Sequence, residues 1–121
     1  MTDFLQVTTA VDNAEDAQTI AAAVVGQRLG ACVQVIGPIQ STYWWDGDVQ
    51  VSEEWLCLIK TRADLFDQLS AVIHQVHPYD VPELIATPVA AGSKAYLDWI
   101  QGELKGANNG RSEERRVGKE C

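Results

Sequence analysis

Apolar and polar positions alternate in two regimes along this chain. "FLQVTTAV", Phe4 to Val11, has the β-rich composition of a short strand. Ala17, Ile20, Ala21, Val24 and Val25 then recur at helical spacing, a face for burial. Asn13 is placed to cap that helix, Glu15 and Asp16 sit at its positive end, and Gly30 suits its stop. Ala31 to Trp45 returns to a strand pattern, with Gly37-Pro38 as a bulge or kink. Asp46-Gly47 is a two-residue hairpin turn, and Val49 to Thr61 is the return strand. Leu65, Leu69, Val72, Ile73 and Val76 mark a second helix that must end before Pro78. "ELIATPV", Glu83 to Val89, reads as a fourth strand, and "SKAYLDWIQGEL" as a last helix capped by Ser93.

The order β-α-β-β-α-β-α predicts an α+β fold: a ferredoxin-like β-α-β-β-α-β sandwich with an extra C-terminal helix and a long central hairpin. Helices are expected on one face of a four-stranded antiparallel sheet. This fold hosts many unrelated functions and decides none of them.

Length along the strands carries more information. The two hairpin strands have about fourteen residues each, roughly 46 Å, and their neighbours only about 25 Å at strand rise. About half of the hairpin therefore projects beyond anything in the chain that could cover it. Tyr43, Trp44, Trp45, Val49, Val51 and Trp55 lie in that half. Trp44 and Trp45 are adjacent, so they point to opposite faces. Each aromatic carries on the order of 150–250 Å² to bury, and the projecting edges carry unpaired backbone groups. The economical cover is a partner subunit, with Tyr43, Trp44, Trp45 and Trp55 at the interface. The alternative is a monomer whose hairpin folds back at Gly37-Pro38 onto its own domain.

Composition narrows the function. At 121 residues with 46% hydrophobic residues, the chain is sized for a single domain. A formal charge of −8 disfavours nucleic acid and anionic membranes as partners. The opening residues have no signal-peptide pattern, which makes cytoplasmic localisation the expectation. The domain is expected to run over 1–107. Residues 108–121 end in "RSEERRVGKEC", which has no apolar periodicity and reads as a disordered tail resembling a translated sequencing adapter. Setting aside Gly110 to Cys121 leaves five basic and fourteen acidic residues, a net charge of −9. Cys121 goes with the tail. Counting back from the turn places Cys57 opposite Ile36, with Cys32 too far along for a bridge between them. Both are expected as buried thiols.

No nucleophile motif, Gly-rich phosphate loop, Cys-x-x-Cys or His-Glu-x-x-His spacing is present. Glu53 and Glu54 fall on opposite strand faces and do not form an acid/base couple. A non-enzymatic protein is expected; an enzyme using His77 and Lys60 is the minor alternative.

Three stretches, "LGACVQVIGPIQSTYWWDGDVQVSEEWLCLIKTR", "VHPYDVPELIATPV" and "YLDWI", together resemble the CutA family of divalent-cation tolerance proteins. The likeness runs from about Phe4 to Leu104. It implies a compact homotrimer with hairpins packed around a threefold axis, in an architecture similar to PII signalling proteins. It also implies a copper site built from a thiol near the end of the first strand and two adjacent histidines after the second helix. Here those positions hold Thr9, Val76 and His77, so only His77 is retained. One imidazole with Glu83, or with Asp80, makes at most a weak site for Cu2+ or another divalent cation, and no cofactor is required. His74 is expected as a surface histidine, and Trp99 as packing. The second reading is a PII-like sensor or interaction module binding a small anionic ligand in an intersubunit cleft lined by Lys60, Arg62 and Tyr79.

Overall fold

The structure is a computed structural model, and it describes residues 3–106 and residue 121. The expected disorder of 108–120 therefore lies outside the described residues. Strand β1 is Phe4–Val11, helix α1 Ala14–Gly26, strand β2 Cys32–Trp45 and strand β3 Asp48–Arg62. A 3-10 turn at Ala63–Leu65 leads into helix α2, Phe66–Val76, followed by strand β4, Ile85–Pro88, and helix α3, Lys94–Glu103. The sheet order is β2-β3-β1-β4, and every pairing is antiparallel. This is the ferredoxin-like sandwich that the hydrophobic pattern predicts.

The caps work as the sequence implies. Asn13 accepts from the Asp16 N–H at 2.8 Å, and Ser93 from the Tyr96 N–H at 3.3 Å. Asp46 and Gly47 both have positive φ, 51° and 83°, the signature of a type I′ turn whose twist suits a hairpin. The core lies between the sheet and α1 and α2. Val7, Val11, Cys57 and Ile59 from the central strands meet Ile20, Val24, Leu69 and Ile73 from the helices.

Four expectations need correction. Helix α1 ends at Gly26 rather than near Gly30, because Arg28 takes the left-handed conformation at φ 59°. The Leu29 N–H then reaches the Val24 carbonyl and the Arg28 N–H the Val25 carbonyl, closing a Schellman motif. Gly30 serves packing instead: a Cβ there would lie 2.7 Å from Val24 Cγ1 and 2.8 Å from Ile59 Cγ2. Second, Cys57 pairs with Val35 rather than Ile36, because the register shifts by one between Ile36 and Ile39, at the Gly37-Pro38 bulge. Third, β4 is shorter than Glu83–Val89. The His77 ring occupies the Ala10 carbonyl of β1, so ladder pairing reaches only Thr8 opposite Ile85. Fourth, Cys121 does not stand apart from the fold, since its sulfur is bonded to that of Cys32. Cys57 is a buried free thiol, and burial pushes its pKa up to about 11.

The register sorts the hairpin into two faces. Trp44 pairs with Val49 and Thr42 with Val51, and by alternation these share the helix side of the sheet. Tyr43 and Trp45 point to the helix-free side, where the Tyr43 hydroxyl meets Ser52 Oγ at 2.6 Å. Trp44 is 75% exposed and Trp45 68%, with Val49 and Val51 above half. Trp55 differs from them. It is half-buried, packs against the core and lies across Gly37 of its own chain.

Candidate functional site

The chemistry-bearing side chains gather where α2 ends. His77 is the C-cap of α2, and its N–H bonds the Ile73 carbonyl. Pro78 stops the helix, so the chain turns and Tyr79 comes back over the imidazole, ring centroids 4.8 Å apart in an edge-on arrangement. His77 Nε2 lies 2.8 Å from the Ala10 carbonyl oxygen. A carbonyl only accepts, so Nε2 carries the hydrogen. The Tyr79 backbone N–H donates to Nδ1 at 3.1 Å. Both ring nitrogens are thus committed, and the neutral Nε2–H tautomer is the one that satisfies both bonds. Burial pulls the His77 pKa below its ordinary value; Asp16 and Glu54 act in the opposite direction.

The Tyr79 hydroxyl donates to Glu54 Oε2 at 2.8 Å. Burial, reinforced by Glu54, holds the Tyr79 phenol well above its usual range. Glu83 joins the corner; desolvation first, then the charge of Glu54, raises its carboxyl pKa. The corner therefore unites His77, Tyr79, Glu54 and Glu83 around an acidic edge. Glu54 was missed as a member by sequence reasoning. Its signal was the alternation that set it on the helix-free face, away from Glu53, one strand over from β1.

Lys60 and Arg62 do not join this group within the chain. Lys60 is six residues further along β3 than Glu54, roughly 20 Å at strand rise. Its Nζ bonds Gln34 Oε1 at 2.7 Å, and partial burial lowers its pKa. Arg62 is buried and structural: it pairs with Asp64 at 2.6 Å and donates to the Lys105 carbonyl at 2.9 Å, tying down the end of α3. His74 is exposed, with Nδ1 2.8 Å from the Ser70 carbonyl. Among the described residues, no cluster of three His, Cys, Asp or Glu has the arrangement of a metal site. Asp80 is exposed on the loop after Tyr79.

Thr9, at the thiol position implied by the family likeness, is fully buried opposite Cys57. Among the described residues its Oγ1 finds no hydrogen-bond partner. A buried hydroxyl without a partner is destabilising, so Thr9→Val is expected to raise unfolding stability by about 1–2 kcal/mol. Urea unfolding checks this; a loss of stability would mean that the hydroxyl is satisfied in solution.

The fold and the corner define a class: a small ferredoxin-like protein whose hairpin outruns its helices, with a histidine–tyrosine–carboxylate corner at the base of that hairpin. A family model described as CutA1 divalent ion tolerance protein matches residues 5–103, and the chain belongs to that family. It is 40% identical over 95 residues to the protein CutA 1, chloroplastic, of Oryza sativa subsp. japonica, covering 78% of this chain and 54% of that protein. It is 43% identical over 91 residues to the divalent-cation tolerance protein CutA of Thermus thermophilus, covering 75% of this chain and 88% of that one. The chain thus spans about half the length of the rice relative and most of the bacterial one. The crystal structure of CutA1 from Oryza sativa superposes with a TM-score of 0.84 at 38% identity, over 86% of this chain and 95% of that one. No helix among the described residues is long and apolar enough to cross a membrane.

Proposed function

We propose that the protein acts in divalent-cation tolerance as a non-enzymatic homotrimer in the cytoplasm, through assembly and signalling. The observation that carries the assembly is the hairpin end. Trp44, Trp45, Val49 and Val51 form an apolar surface on both faces of a two-stranded ribbon, all of them more than half exposed in the single chain. Exposed apolar side chains gathered on a projecting ribbon support a protein–protein contact surface there. The helix-free face of the sheet adds to it, with Ile36 48% exposed beside Leu56 in the register. A second and third copy of the chain offer matching ribbon and sheet, and closed cyclic symmetry ends the addition.

Cation tolerance comes to this chain from its relatives' names. The geometry favours a response that does not rest on His77, because both ring nitrogens are already bonded. The rice relative is named chloroplastic, so the family does not fix the compartment.

Light scattering at micromolar concentration tests the assembly: the expected mass is about three times the 13.3 kDa of one chain. A single-chain mass would end the proposal. In a host deleted for its own family member, expression of this chain is expected to restore growth at raised copper. Failure despite normal expression and trimer formation would remove cation tolerance while leaving the assembly standing.

A further inference from the structure

We infer that Lys60 of one copy forms an ion pair with Glu54 of the next, so that each contact of the trimer is closed by charges from two chains. This rests on the assembly proposed above and names a residue pair that joins its copies. The distribution of charge within the single chain carries it. Among the described residues, three cations have carboxylate partners in their own chain: Arg28 with Glu103, Arg62 with Asp64 and Lys94 with Asp98. Lys105 is exposed, so water serves its charge beside Gln68. Lys60 differs from all four. It is half-buried, its neighbours across the sheet are Gln6 and Cys32, and its Nζ donates to the Gln34 amide oxygen at 2.7 Å. A neutral amide does not offset the cost of drawing an ammonium out of water.

Glu54 has the opposite deficit. It is half-buried on the same helix-free face and accepts from the Tyr79 hydroxyl, but among the described residues it has no cation partner. The Glu83 carboxylate is close enough to feel its charge, which makes the corner more negative. Glu83 itself is exposed and keeps its water, so Glu54 is the carboxylate that needs a counter-charge. Lys60 cannot supply it within the chain. The two are six residues apart on β3, on one face but roughly 20 Å from each other.

That separation suits a ring of copies. In cyclic threefold assembly each chain meets the next with one patch and the previous with a different one. A positive end and an acidic end on one sheet face are two such patches, and closure of the ring satisfies every Lys60 and every Glu54. Between the ends, Leu56 and Leu58 of β3 lie beside the exposed Ile36 of β2, an apolar middle for the same contact. The charges also fix its direction, because the reversed docking would set like charges against each other.

The test uses the full chain. A water-soluble carbodiimide joins an amine to a carboxylate only where the two touch, forming an amide as the reagent takes up the water lost. In the wild-type assembly, peptide mass spectrometry is expected to find Lys60 joined to Glu54; the roughly 20 Å between them within one chain means that the bond links two chains. Lys60→Glu and Glu54→Lys are each expected to raise the protein concentration at half-dissociation by at least about tenfold, read by light scattering at a fixed urea concentration, with unchanged far-UV circular dichroism. The double variant reverses both charges and is expected to return to within about threefold of wild type. Additive losses in the double variant, or a trimer mass without the Lys60–Glu54 conjugate, would overturn the pair and leave the trimer standing. A single-chain mass for the wild type would overturn both.

Discussion

Replacing both Trp44 and Val49 with glutamate is expected to drop the light-scattering mass about threefold, to that of one 13.3 kDa chain. The two residues form a cross-strand pair on the helix side of the hairpin end, 75% and 55% exposed. Neither belongs to the buried core of its own chain, so the fold of the protomer has little to lose. In the proposed trimer the pair is buried once in each of three equivalent interfaces. A central aromatic anchor is worth about 2 kcal/mol or more per interface. Threefold symmetry multiplies that to at least ~6 kcal/mol, about four orders of magnitude in the assembly constant. Glutamate adds the penalty of an unpaired charge in an apolar contact. The far-UV circular dichroism is expected to be unchanged. A trimer that persists in the double variant would show that the contacts lie elsewhere, on the helix-free face to which Tyr43 and Trp45 point.

Gly37→Ala is expected to destabilise the fold by about 1–3 kcal/mol, although Gly37 is an exposed residue. The cause is the Trp55 indole. A Cβ at Gly37 would lie 2.7 Å from Trp55 Nε1 and nearer still to the ring carbons. No substituent fits there until the ring moves. The ring is held on its other side by packing against the core, so moving it exposes apolar surface or opens a void. Urea unfolding followed by tryptophan fluorescence, at fixed protein concentration, measures the loss. Trp55→Leu in the Gly37→Ala background relieves the overlap, so the two substitutions are expected to be strongly non-additive. Equal stability of Gly37→Ala and wild type would mean that the ring does not rest on Gly37 in solution.

Much of this architecture was legible from local pattern. The Asn13 and Ser93 caps, the type I′ turn at Asp46-Gly47 and the end of α2 before Pro78 each depend on a few neighbouring residues, and each formed as read. The hairpin's excess length also followed from counting, because strand rise is nearly constant. Misreadings arose where a distant contact overrode a local preference. Gly30 looks like a helix stop, yet it is needed because Val24 and Ile59 close over it, while Arg28 bends the chain. The register at Cys57 turned on how many residues the bulge absorbs, which depends on the partner strand as much as on Gly37-Pro38.

The candidate site divides the same way. From sequence, His77 is grouped with Glu83 or Asp80, and Lys60, Arg62 and Tyr79 are grouped as the lining of one cleft. Tertiary structure separated them. It placed His77, Tyr79, Glu54 and Glu83 in one corner, left Lys60 at the far end of β3 and turned Arg62 toward Asp64 and the end of α3. It also decided the state of the histidine. A sequence states that an imidazole is present, but which nitrogen carries hydrogen depends on groups from β1 and from the loop after α2 meeting the ring from opposite sides. Elements, their order and the surplus of ribbon are set by short-range propensity and by length, which the sequence contains. Proximity between residues tens of positions apart, and the hydrogen-bond roles it imposes, exist only once the chain has folded.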